Sequence, residues 1–293
     1  MQVIVPKLSG FCPGVRRAEK KLLAENSRVG PGRIFAYGNI INNSNYINYL
    51  ADQDIKTVAL PDNLPSDAYV AVRTHGIDKH EEAGLRKKFK LIDLTCVNVK
   101  RVQLSIQEHA DRGYFTVITG KKNHPEIKGL KSYAGGFRVI ETDEELGRFV
   151  REWQGIQVDK ELKNRIFIVS QTTGRRDFFE KAIAEITRAC PPGTKIVTYN
   201  SICPLTNRKE EEALRLQEQA DITFVVGDKL SSNANKLFNI LEEKSKKVYF
   251  ISDLPGLVSL KPPLKECKRA LLVSSASTPQ FIEDEIREYL ESL

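Results

Sequence analysis

The sequence predicts an α/β protein built from small parallel sheets, and three patterns carry that reading. Short β-branched runs alternate with amphipathic helical stretches along the 293 residues, as strand–helix–strand units require. A small or polar loop follows nearly every run, the place where parallel sheets bind ligands. A weak repeat recurs three times, each copy starting a helix with a cysteine.

Taken in order, Met1-Gln2-Val3-Ile4-Val5-Pro6 reads as a first strand. It lacks the basic-then-apolar layout of a signal peptide. The expected strands 69–73, 115–119, 166–169, 222–226 and 270–273 each lead into a loop. Those loops are Thr74-His75-Gly76, 120–126, Ser170-Gln171-Thr172-Thr173-Gly174, 227–235 and 274–279. Helix starts behind such loops present free N–H groups and a positive dipole end, which suits phosphate. A helix is expected over 178–189, ended by Pro191-Pro192-Gly193. The charged stretch 159–163 is a candidate connection between two units.

The repeat sets Cys12-Pro13-Gly14-Val15-Arg16-Arg17 beside Cys96-Val97-Asn98-Val99-Lys100-Arg101 and Cys203-Pro204-Leu205-Thr206-Asn207-Arg208. The second and third copies follow expected strands at 91–93 and 195–198. Basic residues come four to six positions after each cysteine. Copies of this kind, about one α/β unit apart, predict three similar lobes: 1–97, 98–199 and 200–280, with a C-terminal helix over 281–293.

Composition narrows the function. The chain is 41% hydrophobic and 28% charged, with a formal net charge of +7. No apolar run approaches the ~20 residues of a membrane span, so a cytoplasmic protein is expected. The excess of cations fits anionic partners, from nucleic acid to a phosphorylated metabolite. The densest basic groups, 244–247 and 261–269, lack interleaved aromatics, which disfavours nucleic acid. Five cysteines, an odd number with no CxxC pair, argue against a disulfide framework and a zinc ribbon. Neither GxxxxGK[ST] nor GxGxxG occurs.

The remaining chemistry sits on a few side chains. The positive end of a helix favours thiolate, a soft-metal ligand, and three convergent thiolates suit a [4Fe–4S] cluster with one open iron. Cys12, Cys96 and Cys203 are the candidates. Cys190 and Cys267 read as small buried hydrophobes. His75 and His124 lie in loops where imidazole binds phosphate or relays protons, whereas His80 and His109 read as exposed helix residues. Glu126 behind Pro125 is either a helix-start acid or a proton donor. Ser170–Gly174, the Ser231-Ser232-Asn233 loop and Ser277 offer neutral donors to an oxyanion or simple helix caps.

These residues in this order resemble the 4-hydroxy-3-methylbut-2-enyl diphosphate reductase family, also called LytB or IspH. The shared pieces are Gly10-Phe11-Cys12, His75-Gly76, Asp93-x-Thr95-Cys96, His124-Pro125-Glu126, Gln171-Thr172-Thr173, Ile202-Cys203, Thr206-Asn207-Arg208 and Ser231-Ser232-Asn233-x-Asn235. They span Gly10 to about Pro279. The resemblance implies a trefoil of three α/β lobes around a central [4Fe–4S] cluster on Cys12, Cys96 and Cys203. It implies the last step of the non-mevalonate isoprenoid route. There the allylic hydroxyl meets the open iron and leaves as water after two electrons and two protons are added. Isopentenyl and dimethylallyl diphosphate are the products, and a ferredoxin or flavodoxin supplies the electrons. By position Glu126 feeds the proton and Thr172 steadies the hydroxyl. His75, His124, Ser231, Asn233 and Ser277 bind the diphosphate, with Ser232 close by.

Two positions depart from the family pattern. Asn42 stands where a diphosphate-binding histidine is usual, and Val97 stands where proline is usual. Asn donates a hydrogen bond but carries no charge, so a paralogue acting on another allylic or anionic substrate is the runner-up. Lys121 and Lys122 are candidates to restore the charge. A non-enzymatic Fe–S sensor is the alternative of another class, and the acid Glu126 with Thr172 argues against it.

Overall fold

The computed structural model describes residues 1–61, 63–153 and 164–293. It divides into two compact units, one made of Met1–Thr74 and Pro204–Leu293 and the other of His75–Cys203. The expected connection at 159–163 lies outside the described residues.

The first unit holds two parallel sheets. One has the order β1-β12-β10-β11, from β1 (Gln2–Ile4), β10 (Ile222–Val226), β11 (Val248–Ile251) and β12 (Arg269–Ser274). Its register pairs Val3 with Ala270, Phe224 with Leu272 and Phe224 with Tyr249. The alternation of β10 and β12 feeds two cores. Phe224, Leu272 and Ala270 pack with Ile282, Ile286 and Leu290 of the last helix, Gln280–Glu291. Val225, Leu271 and Val273 face the other way, onto Ala213, Leu237 and Leu241. Burial on both faces is why these strands are continuous apolar runs. Each fully buried Leu, Ile or Phe contributes roughly 1.5–3 kcal/mol.

The other sheet orders β2 (Ile34–Tyr37), β3 (Lys56–Val58) and β4 (Tyr69–Val72) as β3-β2-β4 within this unit. Its helices are α1 (Pro13–Val29) and α2 (Ser44–Asp52). Asn43 caps α2 by accepting from the Tyr46 amide at 3.0 Å. The loops at the carboxyl ends of β2 and β10 meet here: Asp228 accepts from the Ser44 amide at 2.8 Å and from its hydroxyl at 2.7 Å.

In the second unit α3 (Lys79–Lys88) and β5 (Lys90–Asp93) precede α4 (Val97–Asp111). The sheet that follows has β6 (Phe115–Thr119), β7 (Phe137–Ile140), β8 (Arg165–Ser170) and β9 (Lys195–Tyr199), ordered β7-β6-β8-β9 and all parallel. Phe115, Val117, Ile166 and Ile168 pack on α6 (Asp143–Trp153) and α7 (Arg176–Ala189). Ile118, Phe167 and Val169 pack on Val102 and Ile106 of α4 and on Ile127 and Leu130 of α5 (Pro125–Lys131). Pro191-Pro192-Gly193 ends α7 as expected.

His109 departs from its expected exposure. It is half-buried, its ring stacked on Phe167 with centroids 3.8 Å apart and its Nδ1 2.8 Å from the Ser105 carbonyl. An aromatic ring under the last turn of α4 supplies an apolar surface the helix pattern alone does not reveal.

Candidate functional site

Six of the expected residues, His75, Cys96, His124, Glu126, Thr172 and Cys203, form one connected group inside the second unit. Glu126 stands in the first turn of α5 and is 1% exposed. Its Oε1 accepts from the Thr172 amide and its Oε2 from the Thr172 hydroxyl, both at 2.7 Å. Burial pushes the carboxyl up to about 7, against the lowering pull of those two hydrogen bonds. A carboxyl poised there exchanges a proton at neutral pH.

The two ends of this pair lead to the histidines and the thiols. His124 caps α5, its Nδ1 accepting from the Glu126 amide at 3.1 Å. His75 meets the His124 ring edge to face, 5.2 Å between centroids. On the other side, the Thr172 carbonyl accepts from the Cys203 amide at 2.8 Å. The Asn98 amide donates to the Cys203 sulfur at 3.5 Å. Asn98 lies in the first turn of α4, whose N-cap is Cys96. Cys96, Cys203, Thr172, Glu126 and His124 are thus joined through neighbouring contacts.

Local chemistry explains the placement. Asp93 Oδ1 accepts from the Thr95 amide at 2.9 Å, and Lys100 lies 3.3 Å from Asp93 and from Glu82. Burial would raise the Asp93 carboxyl, but the Thr95 hydrogen bonds and the Lys100 cation hold it below its usual range. The turn into Cys96 is therefore fixed by charge. Gly76 takes φ +72°, and a Cβ there would stand 2.7 Å from the Gln103 amide nitrogen. Only glycine fits beside His75. At Gly120 a Cβ would lie 2.7 Å from Gln171, which holds the Lys121 amide at 3.0 Å.

The first unit holds the other expected residues. Cys12 is the N-cap of α1 and Pro13 opens that helix. Ser231 caps α9 (Ser232–Glu242), accepting from the Ala234 amide at 3.3 Å. The Ser277 hydroxyl donates to Ser231 Oγ at 3.1 Å and is 3.1 Å from Ser275 Oγ. Ser232 and Asn233, both half-buried, form the first turn of α9. Asn42 is half-buried immediately before the cap residue Asn43. Its loop is tied through Ser44 to Asp228, whose carbonyl in turn accepts from the Ser231 amide at 2.9 Å. Lys122, a candidate source of charge, is paired with Glu145. Lys121 is exposed.

Thiols at helix starts are donors of the kind an iron–sulfur group takes. Cys12 and Cys96 cap helices without a side-chain capping bond, and Cys203 immediately precedes α8 (Pro204–Gln217). No disulfide joins the five cysteines. Among the described residues no three of His, Cys, Asp and Glu are grouped for a single metal ion. A cluster whose three thiolates bind three different irons does not need three ligands on one ion. Cys190 and Cys267 behave as the small hydrophobes expected of them. Cys190 packs on the second unit's core with its thiol pushed up by burial, and Cys267 is 8% exposed with its sulfur 3.3 Å from the Pro263 carbonyl.

Sequence reasoning assigned no role to two residues at these sites. Asn98 touches the Cys203 sulfur. Lys209 is 6% exposed and donates to the carbonyls of Gly10 at 2.8 Å and Ser274 at 2.9 Å. Both stand within or directly beside the cysteine repeat, at positions where a polar helix face is the ordinary expectation.

Together these features define a parallel α/β protein whose helix-start thiols suit an iron–sulfur group. The chain belongs to the LytB family, whose model, described as LytB protein, matches residues 3–291, and that membership implies an iron–sulfur cluster. Its relatives include the 4-hydroxy-3-methylbut-2-enyl diphosphate reductases of Clostridium perfringens, Aquifex aeolicus and Nitratiruptor. The first is 30% identical and the match covers 99% of each chain. The second is 30% identical over 100% of this chain and 97% of the other. The third is 32% identical over 100% of this chain and 99% of the other. A solved structure of (E)-4-hydroxy-3-methyl-but-2-enyl diphosphate reductase, the terminal enzyme of the non-mevalonate pathway, is 30% identical. It superposes with a TM-score of 0.74 over 100% of both chains. The Plasmodium falciparum E-1-hydroxy-2-methyl-but-2-enyl-4-diphosphate reductase shares the fold at 23% identity. Its TM-score is 0.82, covering 98% of this chain and 87% of that one. The α/β class and parallel sheets expected from the sequence agree with these structures. No helix among the described residues is long and apolar enough to cross a membrane.

Proposed function

We propose that this chain reduces 4-hydroxy-3-methylbut-2-enyl diphosphate to isopentenyl and dimethylallyl diphosphate, the last step of the non-mevalonate isoprenoid route. The observation that carries the reading is the buried Glu126–Thr172 pair, bonded twice at 2.7 Å, in a chain that belongs to the LytB family over residues 3–291. A sensor or a structural iron–sulfur protein has no use for an acid held near neutrality.

Cys12, Cys96 and Cys203 would hold a [4Fe–4S] cluster with one open iron. When bound, it supplies electrons and a Lewis acid for the departing hydroxide. Thr172 steadies the substrate hydroxyl through its own hydroxyl group. Glu126 Oε2, 2.7 Å from that group, gives the proton with which the hydroxyl leaves as water. The balance takes two electrons and two protons per substrate. His75, His124, Asn42, Ser231, Ser232, Asn233 and Ser277 bind the diphosphate, holding the reacting carbon in place. A ferredoxin or flavodoxin is the electron donor and the cytoplasm the compartment. The lobes are 1–97, 98–199 and 200–280, with 281–293 as a C-terminal helix, arranged as a trefoil around the cluster.

Asn42 favours one second reading, a paralogue that removes the hydroxyl of a different allylic or anionic alcohol. The deciding experiment loads the protein anaerobically with iron and sulfide and supplies reduced methyl viologen. Release of the two five-carbon diphosphates from 4-hydroxy-3-methylbut-2-enyl diphosphate supports the first reading. No turnover by a sample with full iron content would favour the paralogue.

A further inference from the structure

Amphipathic helices ordinarily turn lysine to water. Lys209 in the second turn of α8 does the reverse. It is 6% exposed, with its ammonium on the carbonyls of Gly10 at 2.8 Å and Ser274 at 2.9 Å. No carboxylate among the described residues lies within ion-pair distance of it. Glu283, Glu212 and Arg16 act on it from farther away, and so does Cys12. Burial pulls its pKa down to about 8. A buried cation without a paired anion is costly.

The carbonyls it holds belong to one piece of machinery. Gly10, at φ +68°, is the turn two residues before Cys12. Its amide donates to the Ser274 carbonyl at 3.2 Å, and the Ser274 amide donates to Ser9 Oγ at 2.9 Å. The Ser9 hydroxyl donates to the buried Glu283. Arg16 Nε holds the Phe11 carbonyl at 2.9 Å, and the Cys12 amide reaches the Ala276 carbonyl at 3.4 Å. Every residue from 9 to 12 is thus tied down. Lys209 is the buried positive charge in that network, and it joins the cysteine turn to the end of β12.

We propose that Lys209 is a positioning residue for Cys12 and the fixed cation that raises the reduction potential of the group Cys12 holds. A nearby positive charge favours the more negative, reduced state, and low local polarity magnifies the effect. The proposal rests on the iron–sulfur reading above.

Two variants of the full chain separate the roles. In Lys209→Gln the amide still donates to a carbonyl, but the charge is gone. In Lys209→Met both are gone. The samples are reconstituted with iron and sulfide, iron is counted, and the midpoint potential is read by anaerobic redox titration. Amide hydrogen exchange across residues 9–12 is read on the metal-free proteins. Lys209→Gln is expected to keep its iron and shift to a lower midpoint potential. Lys209→Met is expected to exchange faster at 9–12 as well. A wild-type midpoint in both variants overturns the charge assignment. Should neither variant hold iron, the metal-free samples decide: faster exchange confined to 9–12 supports the proposal, and wild-type exchange overturns it. Failure of the wild-type protein itself to assemble a cluster would instead count against the cofactor reading, with exchange still deciding the placement of Cys12.

Discussion

Glu126 receives both hydrogens that Thr172 can offer, one from the amide and one from the hydroxyl, each across 2.7 Å. The pair is buried, Glu126 at 1% and Thr172 at 7% exposure. Two donors favour the ionised carboxylate, whereas loss of water favours the neutral acid, and burial wins. The result is an acid that holds its proton at slightly acid pH and releases it near neutrality. The Thr172 carbonyl also anchors Cys203, so one residue ties the buried acid to a proposed cluster ligand.

Glu126→Gln is expected to keep the cluster and lose turnover by ~10²–10⁴-fold, the usual worth of a positioned acid. Wild-type kcat should fall as pH rises through about 7, where Glu126 loses its proton. The stability effect has a definite sign. A carboxyl raised from 4.5 to about 7 contributes stability that is fully present below pH 4.5 and lost as pH climbs through 7, about 3 kcal/mol in all. Gln does not titrate. Urea unfolding at pH 5 and pH 8 should therefore show the variant gaining on the wild type at the higher pH. An equal difference at both values would mean that Glu126 is not held neutral by burial.

Thr172→Val removes one of the two donors and keeps the backbone N–H. The hydroxyl hydrogen bond lowers the Glu126 pKa, so its loss moves that pKa higher. The falling limb of the kcat profile should shift to higher pH, and the maximum should drop because the substrate hydroxyl loses its contact. A pH–rate profile with an unmoved limb would break the link between these residues.

What the sequence disclosed and what it hid follow a physical line. The strands at 115–119 and 222–226 were legible to the residue, because strands covered on both faces are short runs of β-branched and aromatic residues with turn residues behind them. The serine cap of α9 was legible because capping is local. The cysteine repeat also announced basic residues behind each thiol, but not their fates. Arg16 holds a carbonyl of its own loop, Lys100 joins Asp93 and Glu82, and Lys209 turns inward. Only the last depends on a turn 199 residues earlier in the chain and a strand end 65 residues later. A helical lysine looks solvated until those partners are in place. His109 was misread for the same reason, since Phe167 comes from a distant strand.

The five cysteines should separate cleanly by replacement. Cys12→Ser, Cys96→Ser and Cys203→Ser are each expected to abolish the visible absorption of the reconstituted cluster and lower its iron content. Cys190→Ser and Cys267→Ser should retain both, because one packs on a core and the other faces the Pro263 carbonyl. Their cost is one of stability, roughly 1–3 kcal/mol for a hydroxyl placed among apolar groups. Full iron in all of the first three variants would remove the cluster assignment.

Asn42→His tests the departure from the family pattern through charge. Asn42 stands in the loop that Ser44 ties to Asp228, close along the chain to the cap of α2. An amide there would give a diphosphate one hydrogen bond from an uncharged donor. An imidazole gives the same bond and, below its ordinary pKa of about 6.5, a positive charge as well. The diphosphate is charged in both cases, so what the imidazolium adds is Coulomb attraction on top of the hydrogen bond. The variant should therefore bind inorganic diphosphate more tightly than the wild type at pH 6, and the advantage should shrink by pH 8. The KM for the allylic diphosphate should follow the same pH dependence while kcat changes little, since the loop carries no proton to the reacting carbon. Calorimetric titration at the two pH values is the check. An affinity gain that is equal at pH 6 and pH 8 would mean that charge at position 42 does not reach the diphosphate.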